Sequence, residues 1–461
     1  MASEVLATKE TLEEERDEVI CADEVLLKLR SGRFRLTFAV FICSLSWMFG
    51  AISIMSSAFT NFQCDSPNCN FSMLTVLREF DLQGTDAYLS DWSTSAFMFG
   101  NMLGGSSFTQ IGDRFGRRPI MLICVVGQII ASCMCALSNN IFAFSICRFF
   151  QGALYTGFNL IAWVSAYELC VPKYRGFCTF LFGLTWTLGY CILALIAYVS
   201  PTWRVLTISI VPALLIFTLV IYLVVPESLH FLVLKKRADR VLRWMEKIDD
   251  EVINKVDFLK LLDPQDVKVK PQLGITDFLK RRDYVIYTLI QLYIWTTDNF
   301  IYFGLSLYST QLDGNMYINF VLMGLVELPA YVVCPIALEK TGRKVVVSSC
   351  HIVAGLSFIV PLIFEANTTL TFCCWLIGKF CISCSFMALF VYASEIFPTE
   401  VRNISIGICS VLSRFGCILA PYIRYLSLVT ASFPLIVLST ISIIAGSLTF
   451  ILPETRKKLL E

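Results

Sequence analysis

Apolar residues fall in long unbroken runs separated by short charged turns, with neither the two-residue alternation of strands nor the one-faced pattern of soluble helices. Runs near 36–58, 91–111, 119–137, 141–169, 177–199 and 204–225 are followed by 284–306, 317–338, 345–364, 370–394, 404–426 and 433–452. Each is long enough to cross a hydrocarbon core of about 30 Å as a helix. The pattern predicts an all-α membrane protein of twelve transmembrane helices. Between runs six and seven, Lys235 to Lys247 alternates charged and apolar residues at helical spacing, as an amphipathic helix on the membrane surface does. Its partition is 1–35 as an N-terminal segment, 36–225 and 284–452 as the helical parts, 226–283 as a linker and 453–461 as a tail.

The charged turns repeat. Gly112-Asp113-Arg114-Phe115-Gly116-Arg117-Arg118 has a worn copy in Leu338-Glu339-Lys340-Thr341-Gly342-Arg343-Lys344. Glu168 and Arg175 are answered by Glu395 and Arg402, and Pro226-Glu227-Ser228 by Pro453-Glu454-Thr455. Every pair is offset by 226 or 227 residues, so the chain is two pseudo-symmetric six-helix halves. Duplicated membrane helices with matched charged hinges are a construction of secondary transporters.

With 56% hydrophobic and 16% charged residues, the composition is well apolar of a soluble protein, and a net charge of +1 gives no reason to expect nucleic acid. Placement matters more than balance. Lys28, Arg33, Arg35, Arg117, Arg118, Lys173, Arg175, Lys235, Arg282, Arg343, Lys344, Arg402 and Arg456 all fall on one side if the chain threads back and forth; the other side holds little beyond Arg78 and Arg204. That asymmetry predicts both termini in the cytoplasm. Most of the 19 cysteines lie inside apolar runs as small hydrophobes. Cys64 and Cys69 instead lie in the first outer loop, where a disulfide is permitted, beside the glycosylation sequon at Asn70.

Enzymatic chemistry is not encoded. His230 and His351 have no metal-ligand spacing around them, and neither a nucleophile elbow nor a phosphate-cradling loop occurs, so no cofactor or metal is expected. Charges inside the membrane are few and therefore informative. Asp298, Glu327, Lys379 and Arg414 lie in runs seven, eight, ten and eleven, and Arg148 in run four. A guanidinium offers a carboxylate a two-pronged contact, so Arg414 and Lys379 predict a negative substrate group; the competing reading pairs Arg414 with Glu327 or another acid. Trp163, Trp186, Tyr190, Trp295 and Tyr302 can wall a cavity, and Trp295 and Tyr302 share a helical face two turns apart. At the charged turns, Asp113, Arg117, Arg118, Glu168, Arg175, Glu227, Glu339, Arg343, Glu395 and Arg402 are the candidate gating residues, with Asp113 and Glu168 near Arg117 and Arg175, and Glu339, Arg343, Glu395 and Arg402 grouped likewise in the other half.

The duplicated Gly-Asp-Arg-x-Gly-Arg-Arg signature resembles the major facilitator superfamily. Tyr302-Phe303-Gly304-Leu305-Ser306-Leu307, Glu327-Leu328-Pro329-Ala330-Tyr331 and Ser394-Glu395-Ile396-Phe397-Pro398-Thr399-Glu400-Val401-Arg402-Asn403 resemble its organic-ion transporter family, whose members move organic cations, anions and carnitine-like zwitterions. The resemblance implies a major facilitator fold working by alternating access, secondary-active or facilitative, in the plasma membrane, with sodium or a proton as coupling ion. Ser413-Arg414-Phe415-Gly416 is similar to anion and carnitine-type members, and Asn159 matches an asparagine of carnitine-type members. An organic anion or zwitterion is the favoured substrate; an organic cation carrier and a non-transporting sensor are the alternatives. Two departures stand out. The family's large cysteine-rich outer domain is replaced by about thirty residues, and its Pro-Glu-Ser-Pro-Arg-Trp by Pro-Glu-Ser followed by Leu229-His230-Phe231.

Overall fold

The computed structural model describes residues 22–29, 32–63, 73–82, 84–248, 278, 280–364, 368–430 and 432–456. Cys64, Cys69 and Asn70 lie outside them. The apolar runs become helices α1 (Gly32–Met55, continued by Ser57–Thr60), α2 (Tyr88–Phe115), α3 (Arg117–Leu137), α4 (Ile141–Leu169), α5 (Arg175–Val199) and α6 (Trp203–Val224). The second half gives α7 (Arg282–Tyr308), α8 (Met316–Leu325 and Glu327–Thr341), α9 (Arg343–Ile363), α10 (Thr368–Ile396), α11 (Thr399–Leu412 and Arg414–Leu419, finishing at Leu426) and α12 (Phe433–Thr449).

Local signals fix where several helices begin. Asn140 Oδ1 accepts from the Ala143 amide at 2.7 Å and Thr202 Oγ1 from Val205 at 3.2 Å, capping α4 and α6. Among the described residues, eight helices are long and apolar enough to cross a membrane. Of the remaining four, α12 is shorter, whereas α2, α4 and α7 carry buried polar groups such as Asp91, Asn101, Arg148, Gln151, Asn159, Gln291 and Asp298. Their lower hydropathy is that of helices turned toward a polar interior.

The packing is duplicated as the motifs are. In the first half α1 lies on α4, α5 and α6, α2 on α4, and α3 on α4 and α6; in the second, α7 lies on α10, α11 and α12, α8 on α10, and α9 on α10 and α12. Six helices separate every matched pair. The halves meet through α2 against α11 and through α5 against α8, which are again each other's images.

Both turns carrying the repeated motif need glycine. Gly116 and Gly342 have φ of 118° and 107°, in the left-handed region. A Cβ there would also stand 2.6 Å from Glu227 Oε2 and 2.7 Å from Glu454 Oε2. Those carboxylates cap the next helices. Glu227 Oε1 accepts from the Arg117 amide at 2.9 Å, and Glu454 Oε1 from Arg343 at 3.0 Å. In the linker, Leu229–Leu234 and Ala238–Ile248 are helical. The second buries Val241, Trp244, Met245 and Ile248, and Trp244 Nε1 donates to the Glu227 carbonyl at 3.0 Å. Arg35 Nη1 of the first half donates to the Lys247 carbonyl at 2.7 Å, so this described part of the linker is tied to that half.

Candidate substrate site and its gates

α8 is interrupted at Val326 and α11 first at Ser413, immediately before Glu327 and Arg414, and α11 again by the 3-10 turn Ala420–Tyr422. Pro329 accounts for the first break, since it cannot donate to the Leu325 carbonyl one turn back. Broken helices near the membrane midplane are where transporters of this build place their sites.

Around Glu327 a continuous polar network joins four helices. Its Oε1 stands 3.0 Å from Lys379 Nζ and accepts from Tyr302 Oη at 2.7 Å; its Oε2 accepts from Tyr331 Oη at 2.8 Å. Lys379 Nζ also donates to Ser306 Oγ at 2.7 Å and sits over the Tyr302 ring, 3.1 Å from its centroid. Both side chains are shut from solvent, at 0% and 1% exposed. The first half reaches the same network: Trp186 Nε1 donates to Tyr302 Oη at 2.8 Å, and Tyr190 Oη to Ser306 Oγ at 3.1 Å. Tyr302 thus links the two halves at the centre of the molecule.

Arg414 is elsewhere. Its Nη1 donates to Asn101 Oδ1 across the α2–α11 contact at 3.1 Å, and it makes no ion pair among the described residues. The expected pairing alternative therefore comes out differently: Glu327 takes Lys379, leaving Arg414 uncommitted. Tyr155 stands within electrostatic range of both Arg414 and Tyr190, bridging this arginine to the network. Asn159, one turn along α4, is buried with an unpartnered Oδ1 facing Gly50. Trp163 stacks on Trp47 at 5.4 Å, and Trp186 meets Trp47 edge-on at 6.0 Å, forming an aromatic wall on the first half.

Trp295 shares a face of α7 with Tyr302, whose ring lies 5.9 Å from Phe386, itself 5.9 Å from Phe390 of α10. Trp295 Nε1 donates to Gln291 Oε1 at 3.2 Å, and its ring packs on Phe390 at 4.6 Å. Arg148, the rough counterpart of Lys379, is buried without an acid among the described residues. It donates to Gln151 Oε1 and Ser57 Oγ at 2.7 Å each and lies over Phe97. Tyr155, Tyr331, Ser306, Trp47 and Asn101 escape the sequence reading, because uncharged polar or aromatic residues in apolar runs look like packing.

The charged turns form two matched clusters on the face that carries both described chain ends. Arg117 grips Glu168 with Nε and Nη2, each at 2.7 Å, and reaches Asp113 at 3.2 Å. Arg343 holds Glu395 at 2.8 Å, and Thr455 Oγ1 donates to the same carboxylate at 2.6 Å. Arg118 donates to the Tyr222 carbonyl. Three members of these groups turn elsewhere. Arg175 pairs with Asp23 at 2.7 Å rather than with Glu168. Arg402 turns its Nε to the Phe397 carbonyl at 3.1 Å rather than to Glu395. Glu339, the image of Asp113, is exposed and makes no ion pair among the described residues. In each half the arginine opening the odd-numbered helix reaches the acid first, because the Glu227 and Glu454 caps hold its backbone in place. His230, standing where the related signature has arginine, joins Asp23 at 3.1 Å.

All these pairs lie within one half or tie it to its flanking segments. The halves are instead fastened at the opposite face. Arg424 on α11 meets Asp91 of α2 at 2.6 Å and donates to the Asn61 carbonyl at 3.2 Å; Thr310 donates to the Ala58 carbonyl at 3.1 Å. Phe59 stacks on Tyr317 at 5.6 Å beside them. Only a cavity of about 30 Å³ remains there, lined by Asp91, Asn61 and Arg424.

Residues 39–461 match the family described as "Sugar (and other) transporter". The chain belongs to that family. A putative transporter of Caenorhabditis elegans is 40% identical over 438 residues, covering 95% of this chain and 89% of the relative. Two Drosophila melanogaster proteins are also similar. The organic cation transporter protein is 32% identical over 398 residues, covering 83% of this chain and 72% of its own length. The beta-alanine transporter is 31% identical over 397 residues, covering 83% and 65%. The xylose transporter XylE from E. coli, in an inward-open conformation, superposes with a TM-score of 0.70 at 17% identity, covering 93% of this chain and 98% of that one. The protein is thus a multi-pass membrane transporter of the organic-ion type within the major facilitator superfamily, and not an enzyme.

Proposed function

We propose that this transporter moves small organic anions or zwitterions bearing a carboxylate, by alternating access, across the plasma membrane with both termini cytoplasmic. The observation that carries the reading is Arg414: a guanidinium at a helix break, held only by the neutral Asn101 across the interface of the halves. A substrate carboxylate can replace that amide with a charge-assisted two-pronged contact. Lys379 cannot offer the same, since Glu327 already neutralises it. Tyr155, Tyr190, Trp186 and the Trp47–Trp163 stack supply aromatic faces suited to the ammonium end of a zwitterion. The beta-alanine transporter named among the relatives fits this class.

With the basic turns in the cytoplasm, the fastened face is outer and the conformation inward-facing. Asn70 then lies outside: Asn70→Gln should abolish a glycosidase-sensitive mobility shift in protein from a eukaryotic host.

Uptake of labelled beta-alanine, carnitine, a simple carboxylate and tetraethylammonium by cells with matched surface abundance tests the substrate. Arg414→Ala should abolish carboxylate uptake, and Arg414→Lys should restore it only partly. Intact carboxylate uptake in Arg414→Ala, or wild-type uptake of tetraethylammonium alone, overturns the reading. The second outcome would favour a cation carrier, as the name of one relative suggests. Glu327 would then have to exchange Lys379 for substrate.

A further inference from the structure

Asp298 lies one helical turn before Tyr302 on α7, and the substrate network leaves it out. Its Oδ2 accepts from Ser385 Oγ of α10 at 2.9 Å, and its Oδ1 stands 3.3 Å from His351 Nε2 of α9. The same serine oxygen is 3.0 Å from His351 Nε2. Both Asp298 and His351 side chains are 0% exposed, and no lysine or arginine pairs with Asp298 among the described residues. His351 Nδ1 has no hydrogen-bond partner, so the imidazole is not pinned from its other side.

The surroundings supply no competing charge. From α9 comes the Cys350 thiol, from α10 Cys384, and from α8 Cys334, whose thiol donates to the Cys384 carbonyl at 3.2 Å. α11 contributes Cys417, donating to Asn299 Oδ1 at 3.2 Å, and α12 only hydroxyls, with Ser442 Oγ on the His351 carbonyl at 2.8 Å. On α7 itself Tyr293 turns to the Ile441 carbonyl. Lys379, six residues before Ser385, is occupied by Glu327.

A lone carboxylate in the membrane interior is costly unless compensated. Apart from the Ser385 hydroxyl, the compensation open to Asp298 among the described residues is a proton. One proton shared by Asp298 and His351 makes the pair neutral overall, whether it rests on the carboxyl or forms an aspartate–imidazolium pair. Its loss leaves a net negative charge. Ser385 can relay it, donating to Asp298 while accepting from His351 Nε2–H.

We propose that Asp298, His351 and Ser385 form a proton-binding site that makes the proton the coupling ion of this carrier. Hydronium gives up its proton to the pair on one side of the membrane, becoming water, and a water molecule takes that proton on the other. The charge change acts on α7 and α10, the helices that present Tyr302 and Lys379 to the substrate network. This deepens the transport reading of the preceding subsection and rests on it.

Two experiments separate this site from a polar bolt that merely ties α7, α9 and α10 together. The chain has 2 histidines, so His230→Ala leaves a single imidazole to label. In detergent-purified full chain, its NMR resonances should titrate between about pH 5 and 9, and Asp298→Asn should move the midpoint. Imidazole resonances that do not move across that range overturn the proposal. In proteoliposomes, an inward gradient of one pH unit can drive up to about tenfold accumulation per coupled proton. Wild type should approach this with labelled beta-alanine or carnitine. Asp298→Asn, or His351→Gln should that variant fail to fold, should lose the accumulation while still exchanging external for internal substrate. Accumulation equal to wild type, or loss of exchange together with accumulation, overturns it. If wild type exchanges neither probe, the substrate reading fails and the imidazole titration alone decides the proton site.

Discussion

The Lys379–Glu327 pair makes a quantitative claim about the centre of the molecule. At 3.0 Å with both partners shut from water, the attraction is about 5 kcal/mol at an effective dielectric of about 20. Desolvation offsets much of that, so the pair as a unit should be worth little, while either charge left alone should be expensive. Lys379→Met leaves the carboxylate with only the Tyr302 and Tyr331 hydroxyls, and Glu327→Gln leaves the ammonium with Ser306 and the Tyr302 ring. Each single change should cost about 3–5 kcal/mol of stability. The double variant should be more stable than either single one, giving a coupling energy of at least about 2 kcal/mol in a double-mutant cycle. Reversible unfolding of purified protein in mixed micelles measures all four corners. Additivity within about 0.5 kcal/mol would mean that the two side chains do not meet, and that Lys379 is free for substrate after all.

The remaining predictions concern the gates. Glu395→Gln removes a carboxylate held by Arg343 and Thr455, and should lower turnover by roughly tenfold or more at equal surface abundance, since such charged hydrogen bonds are worth about 1.5–3 kcal/mol. Asp113→Asn touches a side chain that is 69% exposed and should cost less than about fivefold; unchanged turnover in both variants at equal surface abundance would leave the charges as topology markers only. Gly342→Ala should destabilise by about 1 kcal/mol or more, because φ of 107° and Glu454 both oppose a Cβ, whereas Gly176→Ala, with open space around it, should be neutral in the same unfolding assay. Asp91→Asn or Arg424→Gln should loosen the far-face clasp, read as faster labelling of Ala58→Cys by an impermeant thiol reagent from outside cells; unchanged labelling would mean that the stacked aromatics alone seal that face.

Span positions were legible in the sequence because a bilayer imposes one requirement, an uninterrupted apolar run, that every segment must meet separately. The same holds for the doubling, since each motif is local in sequence and its copy lies at a fixed offset. Partner choice was not legible. Arg175 and Glu168 are seven residues apart and seem made for each other, yet the turn between α4 and α5 separates them, and the neighbouring α3 presents Arg117 instead. Trp295 and Tyr302, by contrast, share a helical face by spacing, and that face meets the neighbouring Phe390 and Phe386 of α10.

The buried charges show the limit most clearly. Sequence can count four ionisable groups in runs seven, eight, ten and eleven, and cost arguments require that they pair or face a cavity. It cannot say which. Glu327 lies at the start of the second piece of α8, where α10 is the packed neighbour, so Lys379 becomes its partner; Arg414 lies on α11, which packs on α2 of the other half, so a neutral asparagine becomes its partner. The Lys379–Glu327 pair therefore lies within one half, with Tyr190 of the other half reaching its network through Ser306, whereas the Arg414 contact itself crosses the seam. Only a contact at the seam is made and broken when the halves rock. On the proposed reading, Arg414 sits where binding a substrate can be coupled to the movement that carries it.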